Sequence, residues 1–411
     1  MLTATLDRLQ NLLSQQFLVA YGLPSLLFAA LSLVLYEVAL ADRIGAEGAS
    51  LLAWYNALDG VLQAAIGLLG TAIFVTLTFV LALLVPLWRR LLEGRGLPDW
   101  IKAPLRAAHR DRLWELQERR RQLAPLKRQL ELFPKCSARQ IAEARSKAKD
   151  HSEDRSKLGE PATLLERAQE SLREVWAESD LVQAAVVKLP SALEAVCYAV
   201  TLNVSTRKTE TEKLIDRLNA TAEHVSNRRS AEDIALAKQE VREFPHELLA
   251  PTRLGNVADA IRSRVGHVYG MDTDYFWLHL EAVLKDDDSL KAQILDGKAR
   301  LDAMLLLCFY SGLFTLGWLV LVWSYAASLW LFLGIGLIGP VAMVMFYQLA
   351  IESYLALGDS MCSAVDLRRF DLLQALKVVR PTDRDGEMQL WQNLQRSLAY
   401  GEPVDRPYDT T

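Results

Sequence analysis

Two long apolar stretches lie at opposite ends of this chain, separated by about two hundred charge-rich residues. The first comprises Phe17 to Leu40 and Val61 to Trp88, and the second runs from Ala303 to Ile351 without one Lys, Arg, Asp or Glu. A bilayer core of about 30 Å needs about 20 apolar residues for each helical crossing. The uncharged second stretch must therefore turn back on itself, and the pattern predicts four transmembrane helices arranged as two hairpins.

The region between the two hairpins has the composition of soluble helices. Leu105 to Phe133 is rich in Arg, Glu, Gln and Leu, which are good helix formers, and we expect Pro134 to end that helix because proline lacks a backbone donor. No stretch alternates apolar and polar residues as a half-buried strand does. The predicted fold class is therefore all-α, a polytopic integral membrane protein with four transmembrane helices and a helical cytosolic domain.

These patterns divide the chain into four parts. Residues 1–88 hold an N-terminal amphipathic helix, with leucines at helical spacing up to Gln16, and the first hairpin. Residues 89–300 form the helical cytosolic domain, residues 301–352 the second hairpin, and residues 353–411 a cytosolic C-terminal helical tail.

The distribution of charge predicts the orientation of the chain in the membrane. Between Arg89 and Arg128, directly after the second crossing, twelve basic residues stand against five acidic ones, whereas Arg43 is the only basic residue from Asp42 to Asp59. The positive-inside rule then places both termini and residues 89–300 in the cytoplasm. The net charge of -4 gives no reason to expect a nucleic-acid partner.

The sequence contains none of the common catalytic signatures. It has no glycine-rich loop that ends in Lys-Ser or Lys-Thr, no His-Glu-x-x-His, no Gly-x-Ser-x-Gly and no paired cysteine motif. The four cysteines have neither the spacing of a disulfide framework nor that of a zinc site. We therefore expect no enzymatic activity, no catalytic residue, no cofactor and no metal.

The densest local pattern is Pro251-Thr-Arg-Leu-Gly-Asn256, which is followed by Tyr269-Gly-Met-Asp272. Thr252 has the position and the chemistry to cap a helix, Gly270 can adopt the left-handed conformation that ends it, and Asp272 can cap the next helix. The pattern predicts a corner between two helices just before the second hairpin.

Within this corner we expect five side chains to join the cytosolic helices to the second hairpin. Arg253 should pair with an acidic residue, and the candidates are Asp272 and Asp366. Asn256 is the second polar side chain of the corner that we expect to take part in this connection. Trp277 should anchor its helix at the membrane interface, where the amphipathic indole ring is favourable.

The chain resembles a group of uncharacterised bacterial membrane proteins. The resemblance lies in the Pro-Thr-Arg-Leu-Gly-Asn stretch, the Tyr-Gly-x-Asp step with Trp277 five residues later, the apolar hairpin, and Asp366-Leu-Arg-Arg-Phe-Asp-Leu-Leu373. It covers about Pro251 to Leu390, and Leu278 stands where the pattern has proline. The resemblance implies a location in the bacterial inner (plasma) membrane and implies no activity.

Three polar side chains within or beside the apolar stretches are candidates to line an intramembrane site: Glu37, Gln63 and Gln348. Such residues usually face a partner or water. Glu37 also lies close enough to the membrane interface for its side chain to extend its carboxylate into water. Glycines in both hairpins, Gly67 and Gly334 among them, allow helices to approach closely, as association in lipid requires.

From these features we expect a homo-oligomeric membrane assembly, a pore or a scaffold, whose cytosolic helices serve association or sensing. The expected partners of the assembly are the lipid bilayer and further copies of the same chain. Two alternatives remain open: a membrane anchor for a soluble protein partner, and a small transporter.

Overall fold

A computed structural model describes residues 15–39, 51–150, 161–178, 181–203, 208–245, 248–284, 288–325 and 328–400. These residues are all-helical, and no β-strand lies among them, which confirms the predicted all-α class. Residues 1–14, which carry most of the predicted N-terminal amphipathic helix, lie outside the described ranges.

A single α-helical turn, Gln15–Phe17, and a π-helical stretch, Leu18–Gly22, lead into the first long helix. The helices that follow are α1 (Leu23–Ala39), α2 (Leu51–Asn56), α3 (Gly60–Leu92), α4 (Asp99–Asp150), α5 (Pro161–Ala177), α6 (Val182–Asn203), α7 (Lys208–Glu243), α8 (Arg253–Tyr269), α9 (Thr273–Val283), α10 (Asp288–Ser324), α11 (Leu329–Ala375) and α12 (Arg384–Tyr400).

Among the described helices, five are long and apolar enough to span a membrane, as in a membrane protein. They are Leu18–Val38, Gly60–Leu92, Val182–Thr201, Ser289–Ser324 and Leu329–Ala375. Four of them coincide with the predicted crossings. The additional one, Val182–Thr201, falls in α6, in the part of the chain for which we predicted soluble helices.

The expected helix end at Pro134 is wrong, because α4 continues through this residue for a total of 52 residues. Leu130 and Ile141 are both buried in the same apolar core on either side of it. They are eleven residues apart, about three helical turns, and so share one face of the helix. Packing on that face stabilises the helix across the proline, and the Ser137 hydroxyl donates to the Pro134 carbonyl at 3.0 Å.

The chain forms two compact units, residues 110–240 and residues 1–109 with 241–411. The predicted domain 89–300 is therefore divided between them. We call residues 110–240 the bundle and the other unit the hairpin unit. The core of the bundle is built from α4, α5, α6 and α7, and its fully buried side chains include Val175, Leu189 and Val196.

The core of the hairpin unit lies at one end of the hairpin that α10 and α11 form. These helices are 37 and 47 residues long, about 55 and 70 Å at 1.5 Å per residue, so each exceeds the bilayer core. We call the connection between them the turn end of the hairpin, and the region of Asp288 and Ala375 its open end. At the open end, side chains of α8, α9 and α12 form one apolar core with Leu301, Leu305 and Ile351, which are fully buried.

The apolar helices α1 and α3 pack against α10. At the turn end, Trp318 and Val322 of α10 and Ile335 of α11 form a small core with Leu35 and Tyr36 of α1. Closer to the open end, Val85 of α3 is buried with Leu306 and Tyr310 of α10. The membrane-type helices and the helices of the open end therefore belong to one unit.

Candidate functional site

The predicted corner forms as the local chemistry requires. The Thr252 hydroxyl accepts from the Gly255 amide at 3.1 Å and caps α8. Gly270 ends that helix with φ 76°, in the left-handed region. The Asp272 carboxylate accepts from the Asp274 amide at 2.9 Å and caps α9. The three predicted helix-end residues are thus confirmed.

Two glycines allow the start of α8 to touch the connection between α3 and α4. A Cβ atom added at Gly255 would lie 2.3 Å from the Glu93 carbonyl oxygen. Gly94 has φ 79°, and a Cβ added there would lie 2.3 Å from Cγ of Pro251. Gly255 therefore packs against the backbone carbonyl of Glu93, and Gly94 against the Pro251 ring, at distances that only glycine permits.

Asn256 folds the segment before α8 onto the helix. Its side chain is 1% exposed, and its Oδ1 accepts from the Ala250 amide at 2.7 Å. No hydrogen-bond partner for its Nδ2 occurs in the described ranges. Asn256 is therefore a buried structural residue of the corner.

Arg253 pairs with Glu243, the last residue of α7, and not with Asp272 or Asp366 as we expected. Its Nε and Nη2 donate to the two carboxylate oxygens of Glu243 at 3.2 and 3.1 Å. Its Nη1 donates to Oε1 of Gln348 on α11 at 3.1 Å. Arg253 thus joins the end of α7, the start of α8 and the hairpin, although through a different acidic residue.

The expected acidic partners make other contacts in the same unit. Asp272 accepts from Nε2 of Gln395 on α12 at 3.2 Å. Asp366 on α11 accepts from the Tyr269 hydroxyl at 2.7 Å. Burial, and secondarily the Asp366 carboxylate, raises the pKa of Tyr269 to about 12. Trp277 is half-buried and packs against the core of the open end.

A chain of alternating charges runs across the corner and was missed by the sequence reasoning. Arg95 binds Glu93 at 3.1 Å and Asp259 at 3.0 Å, and Arg262 binds Asp259 at 3.0 Å and Asp274 at 3.3 Å. Burial raises the pKa of both Glu93 and Asp259, and the Arg95 guanidinium opposes that rise. Because Arg95 and Asp259 are 164 residues apart, no local pattern could have predicted the pair.

A second polar cluster joins four apolar helices near the open end. The buried carboxylate of Asp302 on α10 accepts from the Tyr21 hydroxyl at 2.9 Å and lies 4.0 Å from Nη2 of Arg89 on α3. The Arg89 guanidinium also lies 5.1 Å from the ring centroid of Tyr354 on α11. A signal was present in the sequence, since Asp302 directly precedes the charge-free stretch and Arg89 directly follows the second crossing.

The three intramembrane candidates are not brought together. Nε2 of Gln63 donates to the carbonyl oxygens of Tyr55 and Asn56 at 3.0 and 3.5 Å, at the end of α2. Gln348 binds Arg253 at the open end. Glu37 is half-buried in the last turns of α1. Gln63 and Gln348 therefore serve contacts within the chain.

The chemistry of the corner is that of a junction between helices. Within the described ranges, no group of three or more His, Cys, Asp or Glu side chains could hold a metal ion. The four cysteines, Cys136, Cys197, Cys308 and Cys362, are not in disulfides. What the corner does offer is a set of ion pairs and hydrogen bonds that fix α8 to the last residue of α7 and to α11, and the cap of α9 to α12.

Comparison with protein-family models, with curated proteins and with solved structures finds no match to this chain. The resemblance to bacterial membrane proteins therefore stays a prediction.

Proposed function

We propose that this protein is a homo-oligomeric scaffold of the bacterial inner membrane that holds a helical domain at the cytoplasmic surface. The observation that supports it most is the continuity of α10 and α11. Both helices run without interruption from the apolar turn end into the packed core of α8, α9 and α12. A scaffold requires such a connection, because a helix that is continuous and packed keeps the membrane part and the cytoplasmic part in register.

The proposal has four crossings, made by α1, α3, α10 and α11. We assign α6 to the bundle because its Ala185, Ala192 and Val196 are fully buried in the bundle core. It also carries Lys188, which pairs with Glu178 at 2.6 Å, and Glu194. A helix that buries its apolar side chains in a protein core and also carries charged side chains is typical of a soluble domain. A transmembrane helix instead presents apolar side chains to lipid.

The second polar cluster supports the proposed orientation. Tyr21, Arg89, Asp302 and Tyr354 belong to four different apolar segments and lie side by side. Two hairpins whose open ends face the same side of the membrane bring these positions together. The basic excess after Arg89 assigns that side to the cytoplasm by the positive-inside rule.

A scaffold accounts for the apolar helices better than a pore within one chain does. Trp318, Val322 and Ile335 fill the contact between α1, α10 and α11 at the turn end. A water-filled path needs polar groups along its wall, and Gln63 and Gln348 are engaged elsewhere.

We propose α3 as the surface that contacts a second copy. Leu68, Leu69 and Ile73 on its first half are exposed, and a Cβ added at Gly70 would meet nothing within 4 Å. In lipid, helices associate by close packing at small residues, since apolar burial provides no driving force there. Gly70 therefore gives a second helix room to approach.

The test is the mass of the assembly in lipid nanodiscs, measured by light scattering for the wild type, Gly70→Leu and Gly317→Leu. Gly317 on α10 is the matched control, because a Cβ there also meets nothing within 4 Å. We expect the wild type and Gly317→Leu to be oligomers and Gly70→Leu to be a monomer. A wild type that is monomeric at every concentration would refute the scaffold. An oligomeric Gly70→Leu would refute α3 as its contact.

A second candidate function, the anchor for a soluble protein partner, is favoured by a groove on the bundle. The groove lies between α4 and α7, has a volume of about 880 Å³, and has Leu130, Ile141 and Ile215 along its floor with Glu131 and Arg145 beside them. A groove that combines apolar side chains with polar and charged ones is suited to an amphipathic helix. Purification from native membranes distinguishes the two functions, since an anchor brings a second polypeptide in a fixed ratio and a scaffold of identical chains does not.

A further inference from the structure

The hairpin unit contains an apolar cavity that neither polar cluster uses. It has a volume of about 450 Å³ and lies between α1, α10 and α11. Phe28 and Leu31 line it from α1, Phe314 from α10, and Ile335 and Phe346 from α11. Its volume falls within the range of about 300 to 1,000 Å³ that is usual for small-molecule sites.

The wall of the cavity offers no polar group to a ligand. The Tyr310 hydroxyl, which lines it, is hydrogen-bonded to the Ser25 hydroxyl at 2.7 Å. The other lining hydroxyl, that of Ser311, donates to the carbonyl of Leu307 in its own helix at 2.8 Å. Both side chains are already satisfied, so the occupant that fits is apolar along its whole length.

The length of the cavity matches one leaflet of a bilayer. On α1 it extends from Pro24 to Leu35, eleven residues and about 16 Å along the helix axis. Half of a bilayer core of about 30 Å is about 15 Å. An extended hydrocarbon chain from one leaflet can therefore lie along it.

Two glycines of α11 on the wall have different effects on its shape. A Cβ added at Gly339 would lie 1.9 Å from Oγ1 of Thr315, so Gly339 permits the close approach of α10 and α11. A Cβ added at Gly334 would meet nothing within 4 Å. The space beside Gly334 is thus open, and a larger side chain there would enter the cavity without a clash at its first atom.

We propose that this cavity binds one acyl chain of a membrane phospholipid. An apolar cavity does not hold water, and an empty one forfeits the dispersion contacts of the atoms that line it. In a bilayer, the apolar molecules that surround α1, α10 and α11 are acyl chains. The inference depends on the proposed membrane location of these helices, and it does not depend on self-association.

The test is native mass spectrometry of protein taken from nanodiscs of phosphatidylethanolamine and phosphatidylglycerol into a mild detergent. We expect one phospholipid per chain on the wild type and on Gly317→Leu, which adds the same side chain at another open glycine outside the cavity. We expect none on Gly334→Leu. A lipid-free wild type, or a Gly334→Leu variant that retains its phospholipid, would overturn the proposal.

Thermal unfolding in the same detergent separates a filled cavity from a damaged fold. We expect Gly334→Leu without lipid to have a Tm at least equal to that of delipidated wild type, because its side chain supplies the missing contacts. If it does not fold, Ala342→Phe, which also projects from the wall, replaces it with the same expected loss of lipid. A fatty acid or an isoprenoid in place of the phospholipid would refute the assigned ligand.

The same mass spectra test the acyl-chain site and the proposed self-association separately. Monomers that each carry one phospholipid contradict self-association and support the acyl-chain site. Oligomers that carry none contradict the acyl-chain site and support self-association.

Discussion

The two ends of the α10–α11 hairpin are built from similar apolar residues and meet different surroundings. At the open end, Leu301 and Ile351 are fully buried against α8, α9 and α12. Towards the turn end, Leu316 is 69% and Leu337 is 70% exposed. Apolar side chains at the open end are removed from water by protein, whereas the proposed location leaves those at the turn end to lipid. The difference teaches that hydrophobicity along one helix does not indicate which residues form its protein core.

The polar side chains of the hairpin differ in the same way. Near the turn end, the hydroxyl of Thr315 donates to the Ser311 carbonyl of its own helix at 2.6 Å. At the open end, Gln348 and Asp366 bond to side chains of α8. A polar group in an apolar medium can be satisfied within its own helix, as Thr315 is, whereas Gln348 and Asp366 connect separate helices.

The largest effect is expected from leucine truncation at the two ends of α10. Leu301→Ala should lower the free energy of unfolding by about 2 to 5 kcal/mol, because it leaves a cavity in a packed core. Leu316→Ala should lower it by less than about 1 kcal/mol, because an exposed side chain leaves no cavity. Chemical unfolding in detergent measures both, and equal losses would remove the distinction between the two ends.

Addition of a methyl group at a glycine should give the second-largest difference in stability between the two ends. Gly255→Ala should cost about 3 kcal/mol, at the upper end of overpacking effects, because the Glu93 carbonyl that it meets is backbone. Gly317→Ala, towards the turn end, should be neutral or stabilise by up to about 1 kcal/mol, because alanine favours the helix and meets nothing. The measurement is the shift of Tm in detergent, and a neutral Gly255→Ala would contradict the backbone contact.

Removal of the Arg253 side chain, which donates to both carboxylate oxygens of Glu243, should have an intermediate effect on stability. Arg253→Ala removes the guanidinium that pairs with the buried Glu243 carboxylate. We expect a loss of about 2 kcal/mol in the free energy of unfolding, less than the roughly 3 to 5 kcal/mol of a fully buried pair, because the Arg253 side chain is 22% exposed. The double variant Arg253→Met, Glu243→Leu should lose less than Arg253→Ala alone, because it leaves no buried charge. A double variant that is the least stable of the three would show that the pair itself stabilises the open end.

The smallest effect is a dependence on pH at the open end. Burial raises the pKa of Glu93, so its carboxyl binds a proton more readily in the folded chain than in the unfolded one. Its contribution to stability is therefore complete below the ordinary pKa and is lost as pH rises through the raised value. The stability of the wild type relative to Glu93→Gln should fall over that interval in a series of Tm measurements, and a constant difference would contradict the raised pKa.

The helix ends of the corner could be predicted because their chemistry is local. Thr252 and Asp272 each accept from an amide two or three residues away. The partner of Arg253 could not be predicted, because Gln348 is 95 residues away and the choice of Glu243 depends on how α7 ends. The positions of Asp302 and Arg89 beside the apolar stretches were a signal, but the contact between Asp302 and Tyr21 could not be predicted, because 281 residues separate them.

One helix prediction is wrong and one stays a prediction, each for a physical reason. Pro134 does not end α4, because burial of Leu130 and Ile141 on one face outweighs one lost hydrogen bond. The apolar stretch Val182–Thr201 was assigned to soluble helices, yet it is long and apolar enough to cross a membrane. Length and apolar content do not separate a buried helix from a crossing, and the assignment of α6 to the bundle therefore uses its packing.

The contact between Arg95 and Asp259 also sets an order of events during synthesis. The two residues are 164 positions apart, and ribosomes add about 5 to 20 residues per second, so Arg95 waits roughly 8 to 33 s for its partner. During that interval Arg95 can pair only with the nearby Glu93. The corner can therefore close only after α8 has been synthesised, and its contact with α11 follows later still.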